Sequence, residues 1–493
     1  MRCHSVIQLT FFLTTFTSPV LIAQEQATDV LANAEQHMTS GRYGPAIRLL
    51  EGYLANNPRS FEALRMLARA FYWSGSIDSA RQRFEEALSL FPDNVPLRIE
   101  TARFFLETNQ FDRTDEVLRP LASAANAEAL SLLGTARYWK GDWTGAKNYF
   151  ERALDVQPDH SDARRQLNEI LAATASQLTF SPEFQSDNQP IQRVGGIARY
   201  TVYITPLSPL TIQGGLSRAS IQDTAWVFPQ GAVSLRHIFP GSGLGIEASA
   251  GAVQISSRRD IELTYHIVLS LRLPESITLK GQFERRPYFE TISSFSVPVS
   301  VTSWSFFLDR SESETWTGQA AFQSLRYIDG NIGTNFSAWF LFPVGQQKTT
   351  KIRAGYGFSL QDTRDSRFDF ASVTYTPYYT PLNVLSHNLL LSFQIPASNH
   401  LNFHINGSYG LIASENLPQS PTSGGPMIPG PPRSTNETAQ RSFHPWQLRV
   451  ALDFSPADTP LQLQVEGTRF ATAYYQVSMA RLTVGYTFPV HLR

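Results

Sequence analysis

Ile261-Glu262-Leu263-Thr264-Tyr265-His266-Ile267-Val268-Leu269-Ser270-Leu271-Arg272-Leu273 is the stretch whose reading decides the fold. Ile261, Leu263, Tyr265, Ile267, Leu269, Leu271 and Leu273 fall on one parity; Glu262, Thr264, His266, Ser270 and Arg272 fall on the other. A period of two places successive side chains on opposite faces of a strand, here one apolar and one polar. The pattern returns at Leu401, Phe403, Ile405, Tyr409 and Leu411 against Asn402, His404, Asn406 and Ser408. It returns again at Trp446, Leu448, Val450, Leu452 and Phe454 against Gln447, Arg449 and Asp453, and last at Leu482, Val484, Tyr486 and Phe488.

Two architectures fit such strands. A soluble sandwich buries the apolar face between sheets, whereas a transmembrane barrel turns it to lipid and lines a wet lumen with the polar face. The strands are long, often ten to thirteen residues, against about five or six in globular sheets. Aromatics make up 12% of the chain and lie mostly after residue 180. Trp304, Trp316, Tyr327, Trp339, Phe342, Tyr378, Tyr379, Trp446, Tyr474, Tyr475 and Phe488 gather near strand ends, as interfacial girdles require. The expectation is an antiparallel transmembrane β-barrel over 178–493 with about sixteen strands, since bacterial single-chain barrels are even-numbered. Ile412 to His444 is rich in Pro and Gly and is expected to be a loop, either folded toward the pore or merely a surface excursion.

Upstream the period changes. Phe61, Leu64, Leu67, Ala68, Phe71, Gly75, Ile77, Ala80, Phe84, Ala87 and Pro92 in 61–94 are matched in register by Leu130, Leu133, Gly134, Gly141, Trp143, Ala146, Phe150, Ala153 and Pro158 in 127–160. Val30, Ala34, Gly41, Tyr43, Ala46, Leu50 and Pro58 fit the same frame in 27–60; 95–126 keeps Ala102, Phe105, Phe111 and Leu118, with Asn109 at the glycine position. Small residues let two helices cross closely, Gly75 and Gly141 can take the left-handed turn between them, and the prolines stop the second helix. These residues resemble the tetratricopeptide family: four copies and a capping helix over 161–174 imply an all-α solenoid across 27–175. Its concave face could hold partner proteins or serve only as a spacer.

The opening residues read as a signal peptide over 1–23: Arg2, an apolar run from Val6 to Ala23, then Gln24-Glu25-Gln26. The single cysteine, Cys3, falls inside it, leaving neither a disulfide framework nor a thiolate metal site. A formal net charge of -1 gives no footprint for nucleic acid. No Gly-x-Ser-x-Gly elbow, His-Glu-x-x-His pair or phosphate loop occurs, so no catalytic residue, cofactor or metal is assigned and no enzyme is expected. The alternation projects Arg199, Arg236, Glu262, His266, Arg272, Lys280, Glu284, Arg353, Asn402, Arg449, Asp453 and Arg481 onto the polar face, with Arg286, Glu247, Glu466, Gln462 and Gln464. Such mixed charge suits a neutral or weakly charged hydrophilic solute; opposite charges that pair and stiffen the wall are the other reading.

The order of signal, repeats and barrel resembles exopolysaccharide export proteins, notably the cellulose synthase outer-membrane subunit. Tyr378-Tyr379-Thr380-Pro381, with Leu385-Ser386 and Ile395-Pro396 beyond it, is similar to the aromatic-aromatic-Ser/Thr-Pro segment of that subunit's barrel. The resemblance implies an outer-membrane porin for a cellulose-like polymer, passively conducting what a synthase pushes. It also implies periplasmic repeats that dock periplasmic or inner-membrane synthase components. Cellulose exporters carry many more repeats than four. A non-conducting barrel that anchors the repeats for periplasmic partners is the competing expectation.

Overall fold

The computed structural model describes residues 19–255, 260–297, 299–311, 314–347, 349–372, 374–418, 440–457 and 459–489. Most of the expected signal segment lies outside them, and 19–23 open the first helix. The chain divides into two compact units, one ending at Leu167 and the other containing everything from Asn168 onward.

The helices run α1 (Pro19–Thr39), α2 (Tyr43–Asn56), α3 (Phe61–Trp73), α4 (Ile77–Leu90), α5 (Val95–Glu107), α6 (Phe111–Ser123), α7 (Ala127–Trp139), α8 (Trp143–Val156) and α9 (Ser161–Ala173). Their starts are written in the sequence at a constant offset. Ser60 Oγ accepts from the Ala63 amide, Asn94 Oδ1 from Leu97 and Asn126 Oδ1 from Ala129, and His160 Nδ1 takes the same place before α9. Each satisfies a donor that the first helical turn leaves without an intrahelical partner. The turns between paired helices use left-handed residues: Gly41, Gly75 and Gly141 at φ 70°, 82° and 78°, and Asn109 at 59°. Asn is the side chain that best replaces Gly there. Close crossing explains the small residues. A Cβ on Gly134 would stand 2.5 Å from the Phe150 ring, and Ala68, Ala80 and Ala87 are fully buried.

The second unit is a closed sheet. Its strands are β1 (Gln177–Asp187), β2 (Gln192–Thr205), β3 (Ser208–Ile221), β4 (Thr224–Ile238), β5 (Leu244–Ile255), β6 (Asp260–Leu273), β7 (Ile277–Pro287), β8 (Ser300–Arg310), β9 (Thr317–Tyr327), β10 (Ile332–Gln347), β11 (Thr350–Thr363), β12 (Phe368–Asp369), β13 (Thr374–Tyr375), β14 (Val384–Ser398), β15 (Leu401–Asn416), β16 (Gln440–Phe443), β17 (Trp446–Phe454), β18 (Leu461–Ala471) and β19 (Gln476–Thr487). β12 and β13 form a small separate hairpin inside a loop, and β16 and β17 are one barrel strand interrupted at His444-Pro445, both pairing with β15. With β1 paired to β19, sixteen antiparallel strands close the ring. This is the even number expected of a bacterial single-chain barrel.

β15 corrects one expectation. It continues past Ile412 to Asn416, and β16 resumes at Gln440, so the break is shorter than 412–444; 419–439 lie outside the described residues. A bulge between His387 and Asn388 in the β14–β15 register leaves Leu411 and Ile412 both exposed. Beyond it Ala413 and Glu415 turn inward and are buried. A bulge inserts one residue and reverses the parity, which is where a reading by period two stops.

The outward face is apolar and open. Ile261 and Leu263 are 66% and 67% exposed, and Leu269, Trp304, Phe306, Phe340, Leu391, Leu448 and Val465 stand out with them. Such a band encircling a ring has no place in water and suits hydrocarbon. The ring's two ends differ. At the end where β1 begins and β19 finishes, turns are short, as at 206–207, 274–276 and 399–400; the far end carries the longer connections between β7 and β8 and between β11 and β14.

Candidate functional site

Facing inward on β1–β7, β18 and β19 is a cavity of about 690 Å³ lined by Thr179, Ser181, Glu183, Arg193, Arg199, Gln213, Gln230, Thr264, Gln464, Arg481 and Thr483, among others. These polar positions carry the parity opposite to the exposed apolar residues of the same strands, as the pleat dictates. Arg199 and Arg481, both projected from the sequence, are here. Arg199 Nε donates to Gln213 Oε1 at 2.9 Å, and Arg481 pairs with Glu183 across the closing seam.

The remaining projected residues are spread round the ring, most of them matched to a neighbouring strand. Arg449 pairs with Glu466 at 2.6 Å, and Asp453 takes both Gln464 and His404. Lys280 meets Asp309 at 2.8 Å, Glu262 accepts from Ser300, and Arg353 donates to Thr317. Arg236 stands opposite Glu247, His266 opposite Glu284, Arg272 opposite Thr278 and Asn402 opposite Asp453 in the strand registers. Opposite charges directly across a strand pair are mutually stabilising, so this wall is polar but close to electrically balanced. Sequence reasoning passed over Arg193. Extending the parity of Arg199 back along β2 would have found it.

The far mouth is covered by loops that a reading by period two does not place. The 288–299 connection folds into the barrel. Its Phe295, 1% exposed, stacks on Trp226 at 5.1 Å and joins Ile191, Ala219, Phe228, Val253 and Ile255 in one apolar cluster. From there Tyr288 accepts a hydrogen bond from the Tyr379 amide, and the Thr291 hydroxyl donates to the Pro377 carbonyl, tying this connection to 364–383. The described residues of the second loop pack against β9 and the β18–β19 turn at the same end. Tyr378 stacks on Tyr327 at 3.7 Å, Tyr375 meets Tyr474 edge-on at 5.3 Å, and Tyr379 meets Tyr475 at 5.5 Å. Arg441 lies over Tyr474 and pairs with the buried Glu415.

Tyr327, Tyr378, Tyr379, Tyr474 and Tyr475 were expected in a lipid-facing girdle. Instead they form this inward cluster, with Tyr378 1% exposed; Trp304, Phe342 and Phe488 do stand outward. A buried tyrosine needs a partner for its hydroxyl. The Tyr378 hydroxyl donates to Asp329 at 2.8 Å, whose carboxylate also takes Arg367 at 2.7 Å. Burial pushes the Tyr378 hydroxyl up to about 12. Burial would raise Asp329 as well, but the Asn331 amide, Tyr378 and Arg367 together hold its carboxylate below the ordinary range.

In the helical unit the first helices of successive pairs are joined by ion pairs. Arg65 and Arg69 reach Glu100 at 3.4 and 3.3 Å, Arg103 reaches Glu128, and Glu128 also meets His160 at 3.1 Å. Trp73 and Trp139, both at helix ends and part-exposed, lean on Tyr43 and Phe111. Among the described residues no group of three or more His, Cys, Asp or Glu could hold a metal.

Comparison with known proteins places tetratricopeptide repeats over residues 31–95, 74–136 and 127–160. A DnaJ homolog subfamily C member 7 homolog from Dictyostelium discoideum is 25% identical over 112 residues, 22% of this chain; the chain spans about a fifth of that relative's length. Among solved structures, a bacterial polysaccharide outer membrane secretin is 9% identical with a TM-score of 0.48, covering 64% of this chain and 99% of its own. MamA from Desulfovibrio magneticus RS-1 is 20% identical with a TM-score of 0.27, covering 29% of this chain and 83% of its own.

Proposed function

We propose that this chain is an outer-membrane export porin for an exopolysaccharide, with its helical repeats in the periplasm. The carrying observation is the pairing of an exposed apolar outer face with a polar inner wall and cavity in a closed ring of sixteen strands. Short turns at the end where the chain enters and long connections at the other match the periplasmic and external ends of outer-membrane barrels, which supports a periplasmic side for the repeats. The inner-wall residues, Arg199, Arg236, Glu262, His266, Arg272, Lys280, Glu284, Arg353, Asn402, Arg449, Asp453 and Arg481, line the conduit.

The mechanism is passive. Paired charges, amides and hydroxyls exchange hydrogen bonds with a hydroxyl-rich polymer, none strong enough to arrest it; conduction needs weak, multiple sites. A synthase supplies the push, and the repeats hold periplasmic or inner-membrane synthase components on the inner side. A cellulose-like glucan, implied by the resemblance, is one polymer that suits the wall. No step of bond making or breaking is assigned to the chain.

The covered far mouth favours a second reading, a non-conducting anchor for the repeats. Replacing 289–297 by a short Gly-Ser linker separates the two. A conduit is expected to gain steady conductance in planar bilayers at least several-fold over the native chain. A folded variant that stays electrically silent would end the conduit reading.

A further inference from the structure

Charge in the cavity is not balanced as it is elsewhere on the wall. Its lining includes Arg193, Arg199, Arg286 and Arg481 against Glu183. The carboxylates around Arg193 are engaged by other groups. Glu183 is held by Arg481, Glu290 lies 3.6 Å from Arg286, and Asp187 Oδ1 accepts the amides of Gln189 and Ile191 at 2.9 and 3.1 Å. Arg193 is left with Nε and Nη2 buried and without a hydrogen-bond partner among the described residues. Its guanidinium carbon lies 5.5 Å over the Phe295 ring, on the apolar floor of the mouth cluster.

A buried cation with open donors is a costly arrangement unless something arrives to satisfy it. Nε and Nη2 form one edge of the guanidinium, two nearly parallel N–H groups spaced for both oxygens of a single carboxylate. The low-dielectric aromatic wall beside them strengthens that attraction. Farther along the same cavity, toward Arg199, Thr179, Ser181, Gln213 and Gln230 offer hydroxyls and amides, the groups that hydrogen-bond sugar hydroxyls.

We propose that this cavity is a binding site for a saccharide bearing an anionic substituent, a hexuronate above all, with Arg193 gripping the carboxylate and Arg199, six residues farther along β2, facing the same cavity. The site rests on the export reading for its biological sense. It narrows the cargo from neutral glucans to polymers that carry acidic groups.

The test uses the full chain in detergent micelles, with intrinsic tryptophan fluorescence as the readout, because Trp226 stacks on the same Phe295 that Arg193 covers. Trigalacturonate is titrated beside the neutral cellotriose and beside inorganic phosphate. The native chain is expected to bind the uronate at least tenfold more tightly than the neutral trimer. Arg193→Gln is expected to erase that preference, and Arg193→Lys to restore only part of it. Equal affinity of the native chain for both trimers overturns the proposal without recourse to any variant. Phosphate binding as tightly as the uronate overturns the saccharide assignment, and an undiminished preference in a folded Arg193→Gln overturns the role of Arg193. Bilayer conductance of the chain with 289–297 replaced keeps the two readings apart. A conducting variant beside a native chain without uronate preference sinks the site alone, whereas a silent folded variant beside a native chain that binds the uronate through Arg193 sinks the conduit alone.

Discussion

Tyr378 and Asp329 hold the second mouth loop through one hydrogen bond whose two ends titrate in opposite senses. Asp329 is depressed in the folded state, so its contribution is present above the ordinary carboxylate value of about 4 and is lost as pH falls through the lower folded value. Tyr378 is raised to about 12, so its contribution is full below the ordinary phenol value of about 10 and is lost as pH climbs through the folded one. The mouth is therefore expected to loosen at both extremes. Conductance recorded from pH 7 down to pH 3 should rise below about pH 4, and Asp329→Asn should flatten that limb by weakening the hold at every pH. A second residue-scale expectation concerns Gly134. Gly134→Val drives a Cβ to 2.5 Å from Phe150, an overpacking worth about 1–3 kcal/mol. The helical circular-dichroism transition in urea should move to lower denaturant by that amount. Residues of this kind were legible early: Gly134 and Asn109 announced a close crossing and a left-handed turn through their position in a repeated frame. Tyr378 was not, because nothing in a period of two says whether the loop after a strand turns outward or folds back inside.

At the scale of the element, β6 is the clearest test of register. Ile267 is exposed, between Ala248 on β5 and Phe283 on β7. Ile267→Arg should cost about 2–4 kcal/mol if that position meets the bilayer midplane. Equilibrium refolding into lipid vesicles measures it, and an unchanged midpoint contradicts the outward assignment. The sequence showed most strands because each keeps one parity from end to end. It lost β15 at Leu411, where the bulge reverses parity and the buried Glu415 takes Arg441 of β16 as its partner. It also merged two jobs of aromatic residues. Trp304 and Phe342 stand outward as strand ends should, while Tyr327, one residue from a turn, packs under Tyr378. Interface girdle and mouth cluster use the same residue types at the same distance from strand ends, so composition alone cannot divide them.

The whole molecule joins two kinds of stability. The repeat unit rests on nearest-neighbour helix packing, with local contacts and an ion-pair seam. The barrel rests on a ring of hydrogen bonds with no free edge. Heating is expected to give two separate transitions, with helical ellipticity lost first and strand signal persisting to higher temperature. A single coincident transition would show that the units unfold together. Strand number and the order of units were readable from the sequence because both follow from counting periods; the closed mouth and the unbalanced charge at Arg193 were not, since each depends on loops and strands distant in sequence meeting inside the ring.

The seam between β1 and β19 sets the timetable of biogenesis. Ser181 meets Thr483, and Arg481 meets Glu183, across nearly the full length of the second unit. Until β19 is available to pair with β1, the forming sheet has two raw borders open to any other strand. A chain cut within β19 is therefore expected to keep both borders bare and to go to aggregation or proteolysis rather than to a smaller version of the same ring.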